Sequence, residues 1–428
     1  MPMASILPTD PGKNWAGNYR YQAKQLYEPQ DVSQVQELVR RSEKVKAVGS
    51  RHCFNDIADT SGIQISTRLL EPLIEIDEAA MTVTISSGLK YGELCPELHA
   101  RGFALHNLAS LPHISVVGAC MTATHGSGIK NGNLATAVSR IKFVSGTGEL
   151  VTLDRTEQND IFFGAVVNLG GLGVITKLTL DIEPAFPVRQ DVFQDLTFTQ
   201  FSEHFDEIMS SGYSVSLFTN WQNKLIDQVW VKRKIADDLP RLSTDLFGAR
   251  SAIADLHPIA GISAANCTEQ VGNAGAWFER LPHFKMGFTP SSGEELQTEY
   301  FVSLERAVDA ILAIDGKREA ISPHLLVSEI RTIADDNHWL SPCYKRDSAA
   351  IHFTWKPNVN EVMKLLPVLE AELAPFDPRP HWGKLFATPP KELRRTYPML
   401  PEFGDLLARY DPHGKFRNGF LDRLILNR

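Results

Sequence analysis

Apolar residues recur at two different spacings along the chain, and the spacing predicts which segments form helices and which form strands. Between residues 31 and 50 they recur at helical spacing before the short apolar run KAVGS. Strict alternation over 73–77 and 82–87 predicts two strands. A helix that ends at a glycine is expected over 90–101, and a hairpin over 138–153. The first part of the chain is therefore predicted to mix short helices with strands.

The pattern changes after Pro184 and Pro187, which mark a candidate domain boundary. Beyond them, several segments alternate like the strands of a larger sheet, with helical patterns between them. The predicted strands are 213–221, 228–234, 326–333 and 349–355, and the predicted helices are 303–314 and 359–373. A chain of 428 residues is too long for one compact core, so we predict two domains.

Composition and charge exclude several classes of function. The net charge is −8 and is not gathered into blocks, so we expect no nucleic-acid partner. No apolar run is long enough to span a bilayer, and the first residues, MPMASILPTD, lack the pattern of a secretory signal. Five widely spaced cysteines favour neither a disulfide framework nor a zinc site, and no zincin or serine-hydrolase motif occurs. We therefore expect a protein of the reducing cytoplasm with no metal and no membrane attachment.

Two glycine-rich loops are the first candidate for chemistry. The run VGSRHCFN at 48–55 places a histidine directly after a tight turn, and a longer run at 110–128 is dense in glycine, serine and threonine. Small residues let backbone N–H groups approach an anion closely, so the two loops would suit a diphosphate. Neither loop has the Rossmann or the Walker spacing. On spacing alone, two ordinary glycine loops are an equally good interpretation.

Polar side chains on two predicted strands are the second candidate. Alternation places Glu329 and Arg331 on one face of LVSEIRTI, and His352 and Thr354 on one face of AAIHFTW, with apolar residues opposite. Such a face offers acceptors and cationic donors to a row of hydroxyl groups. A solvent-exposed face with a surface ion pair is the alternative, and the pattern alone favours that alternative.

Long motifs distributed along most of the chain resemble a known family. They are NWAGN (14–18), VGSRHCFND (48–56), ASLPHISVVGACMTATHGSG (109–128), NCTEQ (266–270), LPHFKMGFTPSSGEELQTEY (281–300), EIRTI (329–333), HFTW (352–355), RPHWGK (379–384) and DPHGKFRNGF (411–420). In this order they resemble the alditol oxidases, which are sugar-alcohol oxidases within the vanillyl-alcohol-oxidase superfamily of flavoproteins.

The resemblance implies a fold and a cofactor. The fold is α+β and of the vanillyl-alcohol-oxidase type, with an FAD domain over 1–185 completed by 376–428 and a substrate domain over 186–375 built on a large antiparallel sheet flanked by helices. FAD would be attached covalently through His52, which tethers the cofactor and raises its oxidising power. For His113 we expect a structural role. The implied cofactor contacts are Gly49, Ser50, Arg51, His52, Cys53, Ser110, Ser115, Gly118, Thr122, Thr124, His125, Gly126, Ile175 and His381.

The resemblance also implies a substrate. The terminal CH2OH of an acyclic polyol such as xylitol or sorbitol would be oxidised to the aldose, with hydride passing to flavin N5 and O2 reduced to H2O2. Arg331 and Lys384 would stand beside the reacting hydroxyl as catalytic residues. His352 is the candidate base, with a water or the flavin environment as the alternative. The implied substrate ligands are Ser110, Gln297, Glu329, Arg331, Thr354 and Lys384.

Three other functions stay open at this point. They are a sugar-lactone or aldose oxidoreductase of the same superfamily, a polyol dehydrogenase that passes electrons to a carrier, and a flavin-binding protein without turnover. Ala109, a small residue expected near the flavin face, favours an oxidase because it leaves room for oxygen. The complete set of substrate ligands argues against a protein without turnover. Family precedent implies a monomer.

Overall fold

The computed structural model describes residues 7–235, 244–288 and 295–426. The expectation about a secretory signal concerns residues that lie mostly outside these ranges, as do 289–294 of the motif 281–300. Within the described ranges, no helix is both long enough and apolar enough to cross a membrane.

The strands alternate with helices in the first part of the chain and dominate the middle. In chain order the strands are β1 (Gln25–Tyr27), β2 (Val45–Ala47), β3 (Ile63–Ile65), β4 (Ile74–Asp77), β5 (Thr82–Ser86), β6 (Phe103–Ala104), β7 (Val138–Ser145), β8 (Leu150–Asp154), β9 (Gly173–Asp181), β10 (Glu183–Pro184), β11 (Pro187–Thr197), β12 (Ser214–Thr219), β13 (Leu225–Lys234), β14 (Asp245–Leu246), β15 (Ala249–Ser251), β16 (Ala274–Ala276), β17 (Leu296–Ser303), β18 (Leu325–Ile333), β19 (Ser348–Trp355) and β20 (Arg379–Pro380).

The helices are mostly short, and several of them begin at a side chain that caps the first turn. Asp31, for example, caps the first helix by accepting a hydrogen bond from the Gln34 N–H. The helices are α1 (Val32–Arg41), α2 (Tyr91–Ala100), α3 (Val116–Met121), α4 (Asn159–Val166), α5 (Phe198–Glu203), α6 (Phe205–Met209), α7 (Ala307–Asp315), α8 (Arg318–Ile321), α9 (Val359–Leu373), α10 (Pro390–Thr396), α11 (Leu400–Tyr410) and α12 (Gly419–Leu421).

Most of the predicted elements are confirmed. The helices predicted over 90–101 and 359–373 are α2 and α9, and the predicted hairpin is formed by β7 and β8. The helix predicted over 303–314 is shorter. Its first residues form a 3₁₀ turn over Leu304–Arg306 at the end of β17, and α7 follows that turn.

In the described ranges, two large sheets, one small three-stranded sheet and the antiparallel pair of β6 with β10 organise these elements. The first large sheet has the order β4-β5-β9-β7-β8 and is antiparallel, and β1, β3 and β2 form a small parallel sheet. The second large sheet is antiparallel and has the order β14-β15-β11-β13-β12-β18-β19-β17-β20, with β16 paired to β11. The middle of the chain therefore forms the large antiparallel sheet that the sequence predicts.

Two hydrophobic cores correspond to the two large sheets. The first contains Val83, Ile141 and Leu178 of the five-stranded sheet, packed with residues of α2, α4 and α11. The second contains residues of β12, β18 and β19, packed with α5, α7 and α9. Trp277 contributes to the first core and Phe54 to the second, so the chain crosses between the two cores several times.

Candidate active site

Ser115 connects the loop after β2 with the loop before α3. Its backbone N–H donates a hydrogen bond to Ser50 Oγ at 3.1 Å. A Cβ added at Gly49 would lie 2.5 Å from Ser115 Oγ, and one at Gly118 would lie 2.6 Å from the same atom. A side chain at either glycine would therefore displace Ser115. Arg51 has a φ of 59°, in the left-handed region, so the first loop turns sharply at this point.

His52 lies between two other rings. The Trp15 ring stacks on its imidazole with 4.2 Å between centroids, and its Nε2 lies 3.0 Å from Nε2 of His113. Burial, reinforced by His113, lowers the pKa of His52 to about 3, and burial lowers the pKa of His113 to about 4. Both imidazoles are therefore neutral near pH 7.

Three neighbouring strands bring polar side chains into one row. The register places Glu299 of β17 opposite His352 of β19, and His352 opposite Glu329 of β18. Because alternate residues of a strand share a face, Thr354 and Arg331 lie on the same side of the sheet as this row. The intervening residues belong to the second core, as the alternation predicts; they are Ile330, Ile351, Phe353 and Trp355.

Glu299 is the buried carboxylate at the β17 end of this row, with only 1% of its surface exposed. Its oxygens lie 3.0 Å from Lys384 Nζ, 3.3 Å from His125 Nε2, 3.4 Å from His352 Nδ1 and 3.7 Å from Arg331 NH2. The contacts with Lys384 and Arg331 join opposite charges, and none of the four is a hydrogen bond of good geometry. Burial would raise the pKa of Glu299, but Lys384 and His125 outweigh it and hold that pKa well below its usual range.

Lys384 and His352 form a hydrogen-bonded pair. Lys384 Nζ lies 2.7 Å from His352 Nδ1, and His352 Nε2 lies 3.0 Å from Thr354 Oγ1. Because the lysine donates to Nδ1, the ring proton is on Nε2 and is donated to Thr354. Burial, followed by the nearby Lys384, lowers the pKa of His352 to about 4, and burial also lowers the pKa of Lys384. The basic nitrogen of His352 therefore faces Lys384.

Glu329 is held by a cation on one side and by a histidine on the other. Its Oε1 lies 3.2 Å from Arg331 Nε and 2.6 Å from His283 Nε2. The other ring nitrogen of His283 lies 3.2 Å from Nζ of the buried Lys232, which also donates to the Leu281 carbonyl at 2.6 Å. Burial opposes ionisation of Glu329, but Arg331 and His283 lower its pKa, so it carries a charge at neutral pH.

Ser110 and Gln297 lie beside these charged groups. Ser110 Oγ accepts a hydrogen bond from Arg331 NH1 at 3.3 Å. Gln297 is paired with Thr354 across β17 and β19, two residues before Glu299. Both side chains offer donors and acceptors without charge.

One cavity of about 510 Å³ joins the His52 loop to the row of polar residues. All the predicted substrate ligands and His352 line it. Gly126 does not. It packs against Asn107, where an added Cβ would collide with the amide oxygen. The predicted cofactor contacts that line the cavity are Gly49, Ser50, Arg51, His52, Cys53, Ser110, Ser115, Gly118, Thr122, Thr124, His125, Ile175 and His381.

The other wall residues of the cavity fit a large anionic cofactor. Ser87 Oγ lies in the wall and is buried without a hydrogen-bond partner among the described residues. Lys46 also lines the cavity, and its Nζ donates to the Phe416 carbonyl at 3.2 Å. Burial lowers the pKa of Lys46 to about 7, because no carboxylate of the described ranges forms an ion pair with it. A diphosphate would supply the missing anion and an acceptor for Ser87.

Comparison with known proteins decides the family. An alditol oxidase of Streptomyces sp. (strain IKD472 / FERM P-14339) is 45% identical over 415 residues, which are 96% of this chain and 98% of that protein. This chain belongs to the alditol oxidase family. Residues 23–154 match the family described as FAD binding domain, and residues 293–424 match D-arabinono-1,4-lactone oxidase. As a member of the alditol oxidase family the protein is an FAD-dependent oxidoreductase, and the residues of the cavity fit that cofactor.

Oxidoreductases with other names are also similar to this chain, at lower sequence identity. L-gulonolactone oxidase of Mus musculus is 26% identical, and L-gulono-1,4-lactone dehydrogenase of Mycobacterium tuberculosis (strain ATCC 25618 / H37Rv) is 27% identical, each over 96% of this chain and 98% of the relative. Cholesterol oxidase from B. sterolicum superposes with a TM-score of 0.79 over 99% of both chains at 15% sequence identity. This likeness concerns the fold alone, and it confirms the predicted vanillyl-alcohol-oxidase-type fold.

Sequence reasoning missed three residues of the site. Glu299 stands two residues after Gln297 in the alternating run LQTEYFVS, so the period of two that identified its neighbours applies to it as well. His283 and Lys232 carry no such signal. His283 is 46 residues from Glu329 and 51 residues from Lys232 in the sequence. The spacing of residues within one helix or strand cannot indicate contacts at those separations.

Proposed function

We propose that this protein is an FAD-dependent oxidase that converts the terminal CH2OH of an acyclic polyol, such as xylitol or sorbitol, to the aldose, with O2 reduced to H2O2. The observation that carries the proposal is the convergence of two ionised carboxylates, two cations and several uncharged polar groups in the wall of one cavity. A polyol is a row of hydroxyl groups, each a donor and an acceptor. It therefore needs partners of both kinds, arranged along a wall.

The substrate ligands divide by charge in this proposal. Glu329 stays ionised and accepts hydrogen bonds from substrate hydroxyls. Ser110, Gln297 and Thr354 hold the remaining hydroxyls as uncharged partners. His283 keeps Glu329 in place by donating to its Oε1, which leaves the other carboxylate oxygen for substrate.

The reacting hydroxyl would lie against Arg331 and Lys384, whose charges favour an alkoxide as its proton leaves. Lys384 gives one of its protons to His352 Nδ1 along the 2.7 Å hydrogen bond and takes the substrate proton in exchange. His352 thus serves as the base through Lys384. When bound, FAD supplies the two-electron oxidant of the reaction.

Covalent attachment of FAD through His52 is part of the proposal. The imidazole lines the cavity and is neutral, so one of its nitrogens has a free lone pair for bond formation. The division into an FAD domain over 1–185 with 376–428, and a substrate domain over 186–375, is proposed with it. We further propose a monomer, as in the family precedent, and a cytoplasmic location, which the five free cysteines favour.

The first experiment combines two readouts on the purified protein. The protein is denatured in acid and run on a gel, and flavin fluorescence is sought in the protein band. Xylitol-dependent formation of H2O2 is measured in parallel. Fluorescence together with peroxide supports both the tether and the polyol oxidase. A fluorescent band with no peroxide from xylitol or sorbitol contradicts the substrate, and a dark band contradicts the tether.

A pair of lysine variants tests the assigned chemistry. Lys384→Met is expected to lower kcat by about 10²-fold or more, because a cation beside the developing alkoxide is lost. Lys364→Met is the control. Lys364 is an exposed residue of α9 that pairs with Glu361, and its replacement should leave turnover unchanged. Equal activity of the two variants would contradict the role of Lys384.

A sugar lactone is the second candidate substrate class. The match of residues 293–424 to D-arabinono-1,4-lactone oxidase is the observation that favours it. Turnover of L-gulono-1,4-lactone without turnover of xylitol would decide for it.

An electron carrier in place of O2 is tested in the same assay with a dye that accepts electrons. Ala109 lines the cavity beside Ser110, and its small side chain supports the choice of O2.

A further inference from the structure

Lys232 is a buried cation to which the proposed turnover gives no part. It lies on β13 with 1% of its surface exposed, and it does not line the cavity, whereas His283 and Glu329 both do. Its Nζ lies 2.6 Å from the Leu281 carbonyl, 3.1 Å from the Pro282 carbonyl and 3.2 Å from His283 Nδ1. An ammonium group has three N–H donors, so these three acceptors use all of them.

The ring of His283 connects Lys232 with the substrate ligand Glu329. Its Nε2 lies 2.6 Å from Glu329 Oε1. The edge contacts of Phe218 and Trp230, with centroids 5.4 and 5.2 Å away, fix the plane of the ring. Burial is the main cause that lowers the pKa of His283 to about 4, so the ring is neutral and carries one proton at pH 7.

The charges on the two sides of the ring decide where that proton lies. Protonated Lys232 needs a lone pair on Nδ1, and ionised Glu329 needs a proton on Nε2. The two charges disagree about a second ring proton, which Glu329 favours and Lys232 disfavours. Arg331, the other charged group of β18 that acts on the ring, also disfavours it. Cys267, beside Lys232, stays an uncharged thiol because burial raises its pKa to about 11.

We propose that Lys232 is a positioning residue for the substrate site: it keeps His283 in the neutral form with one proton on Nε2, so that Glu329 retains its full negative charge as an acceptor for substrate hydroxyls. This inference rests on the polyol oxidation proposed above. A second ring proton would turn the contact into a buried salt bridge, and the carboxylate would then be a weaker acceptor for a polyol.

The backbone around His283 is held by groups other than Lys232. The Thr268 N–H donates to the His283 carbonyl at 2.9 Å, and Thr268 Oγ1 donates to the Pro282 carbonyl at 2.8 Å. The His283 N–H donates to the Ser110 carbonyl at 3.2 Å. Replacement of Lys232 should therefore change the charge of the ring more than the path of the chain.

The first measurement reports the protonation of the ring without any substrate. Holoprotein labelled with nitrogen-15 in its histidines is titrated from pH 5 to 7 and followed by NMR, which distinguishes a ring nitrogen with a proton from one with a lone pair. The His283 signals are identified by their loss in His283→Gln. In the wild type we expect one proton, on Nε2, throughout this range. In Lys232→Met the ring should take up a second proton as the pH falls.

The second measurement follows the effect on substrate binding. In Lys232→Met, KM for xylitol should rise by about 10-fold more than in the wild type between pH 7 and pH 5, with kcat much less affected, because a charged acceptor is weakened. In the His283→Gln background, the Lys232→Met substitution should add no pH dependence, since an amide takes up no proton. A purely structural role of Lys232 would give the same loss at every pH and in both backgrounds.

Two further variants separate charge from packing. Lys232→Arg keeps the cation and should restore both the wild-type titration of His283 and the flat KM. Lys285→Met is the control, because Lys285 lies two residues after His283 and its exposed Nζ donates to the Ala265 carbonyl at 2.8 Å. It should behave like the wild type. If Lys232→Met does not fold, Lys232→Gln takes its place, since an amide keeps two donors for the carbonyls.

Failure of this inference can be distinguished from failure of the proposed function. A His283 ring that titrates identically in the wild type and in Lys232→Met overturns the inference, and xylitol turnover by the wild type then leaves the oxidase intact. Wild-type protein that does not oxidise polyols overturns the proposed function and the role in substrate binding. The NMR titration still decides in that case whether Lys232 keeps His283 neutral.

Discussion

Glu299 is in contact with both cations of the candidate active site, Lys384 and Arg331. A buried charge is tolerated only when other charges or hydrogen bonds balance it, and breaking a buried pair on one side leaves the partner uncompensated. Glu299 therefore does more than fill space. It supports the protonated form of Lys384, whose pKa burial would otherwise lower further.

Glu299→Gln is expected to lower kcat by about 10²-fold if Lys384, the cation that it supports, stabilises the developing alkoxide as proposed. Glu299 raises the pKa of Lys384, so its loss should move the alkaline limit of activity to lower pH. The measurement is kcat for xylitol from pH 6 to 10. Asp191→Asn is the control, since Asp191 pairs with Arg189 and is absent from the cavity wall. An unchanged alkaline limit in Glu299→Gln would contradict this role.

The raised pKa of the buried Asp227 side chain leads us to expect that the stability of the fold depends on pH. Burial raises its pKa from 3.8 to about 6, so the folded state binds this proton more tightly than the unfolded state. Stability should therefore fall as pH rises from about 4 to 6. Asp227→Asn keeps an acceptor for the Asn220 N–H, and it should raise the melting temperature at pH 7 but not at pH 4.

Asp154 is the control, because its pKa is lowered in the folded state and its effect on stability therefore changes with pH in the opposite direction to that of Asp227. The Thr156 hydroxyl lowers the pKa of Asp154, so ionised Asp154 stabilises the fold at neutral pH. Asp154→Asn should lower the melting temperature at pH 7, with a smaller effect in acid. A shift of the same sign in both variants would contradict the assignment. Melting is followed by circular dichroism at the two pH values.

Within the elements, strand alternation explains what the sequence revealed about the site. The period of two correctly separated Glu329, Arg331, His352 and Thr354 from the apolar residues of the second core. It could not reveal the register between strands, which puts Glu299 opposite His352. Register depends on the pairing of whole strands, and a shift by one residue would turn every side chain to the other face.

The two cofactor loops form a second unit, and its tolerance to substitution can be tested. Gly49→Ala would place a methyl group 2.5 Å from Ser115 Oγ, an overlap expected to cost about 1–3 kcal/mol. Ser115→Ala removes that oxygen and leaves the next contact of the methyl group at 3.4 Å. The double variant should therefore recover most of the thermal stability and FAD content that Gly49→Ala loses. Strictly additive losses would show that the two loops are independent.

At the scale of the whole molecule, the end of the chain supports the His52 loop. Asn418 Nδ2 donates to the carbonyls of Asp56, Ile57 and Asp59 at 3.0, 3.1 and 2.9 Å, just beyond that loop. A segment more than 350 residues away in sequence therefore holds the loop in position. These contacts support the proposal that the C-terminal segment completes the FAD domain.

Asn418→Leu should destabilise the protein by about 2–4 kcal/mol, since three carbonyls lose their donor. It should also lower the FAD content of the purified protein. The measurements are urea unfolding and the ratio of flavin to protein absorbance. Asn358→Ala, which removes the cap of α9, should cost about 1 kcal/mol without loss of FAD. Equal FAD content in the two variants would contradict a role of Asn418 in cofactor retention.

The long-range contacts are also the part of the fold that the sequence could not predict. Local spacing predicted α2, α9 and the β7–β8 hairpin because those elements depend on neighbours along the chain. The crossing of Phe54 into the second core and the contact of His52 with His113 depend on how separate segments meet. The sequence motifs located the two loops, but the hydrogen bond that joins them through Ser115 could not be predicted from either motif.

The two faces of the ten-stranded sheet have a consequence for how this family can change over time. On β18 and β19 the side chains that line the cavity alternate with those that pack in the second core. Mutation at a cavity position therefore leaves the packing behind it intact, and the two sets of residues can evolve independently. A change of substrate then needs no change of scaffold. Cholesterol oxidase from B. sterolicum, which has this fold at 15% sequence identity, fits this independence.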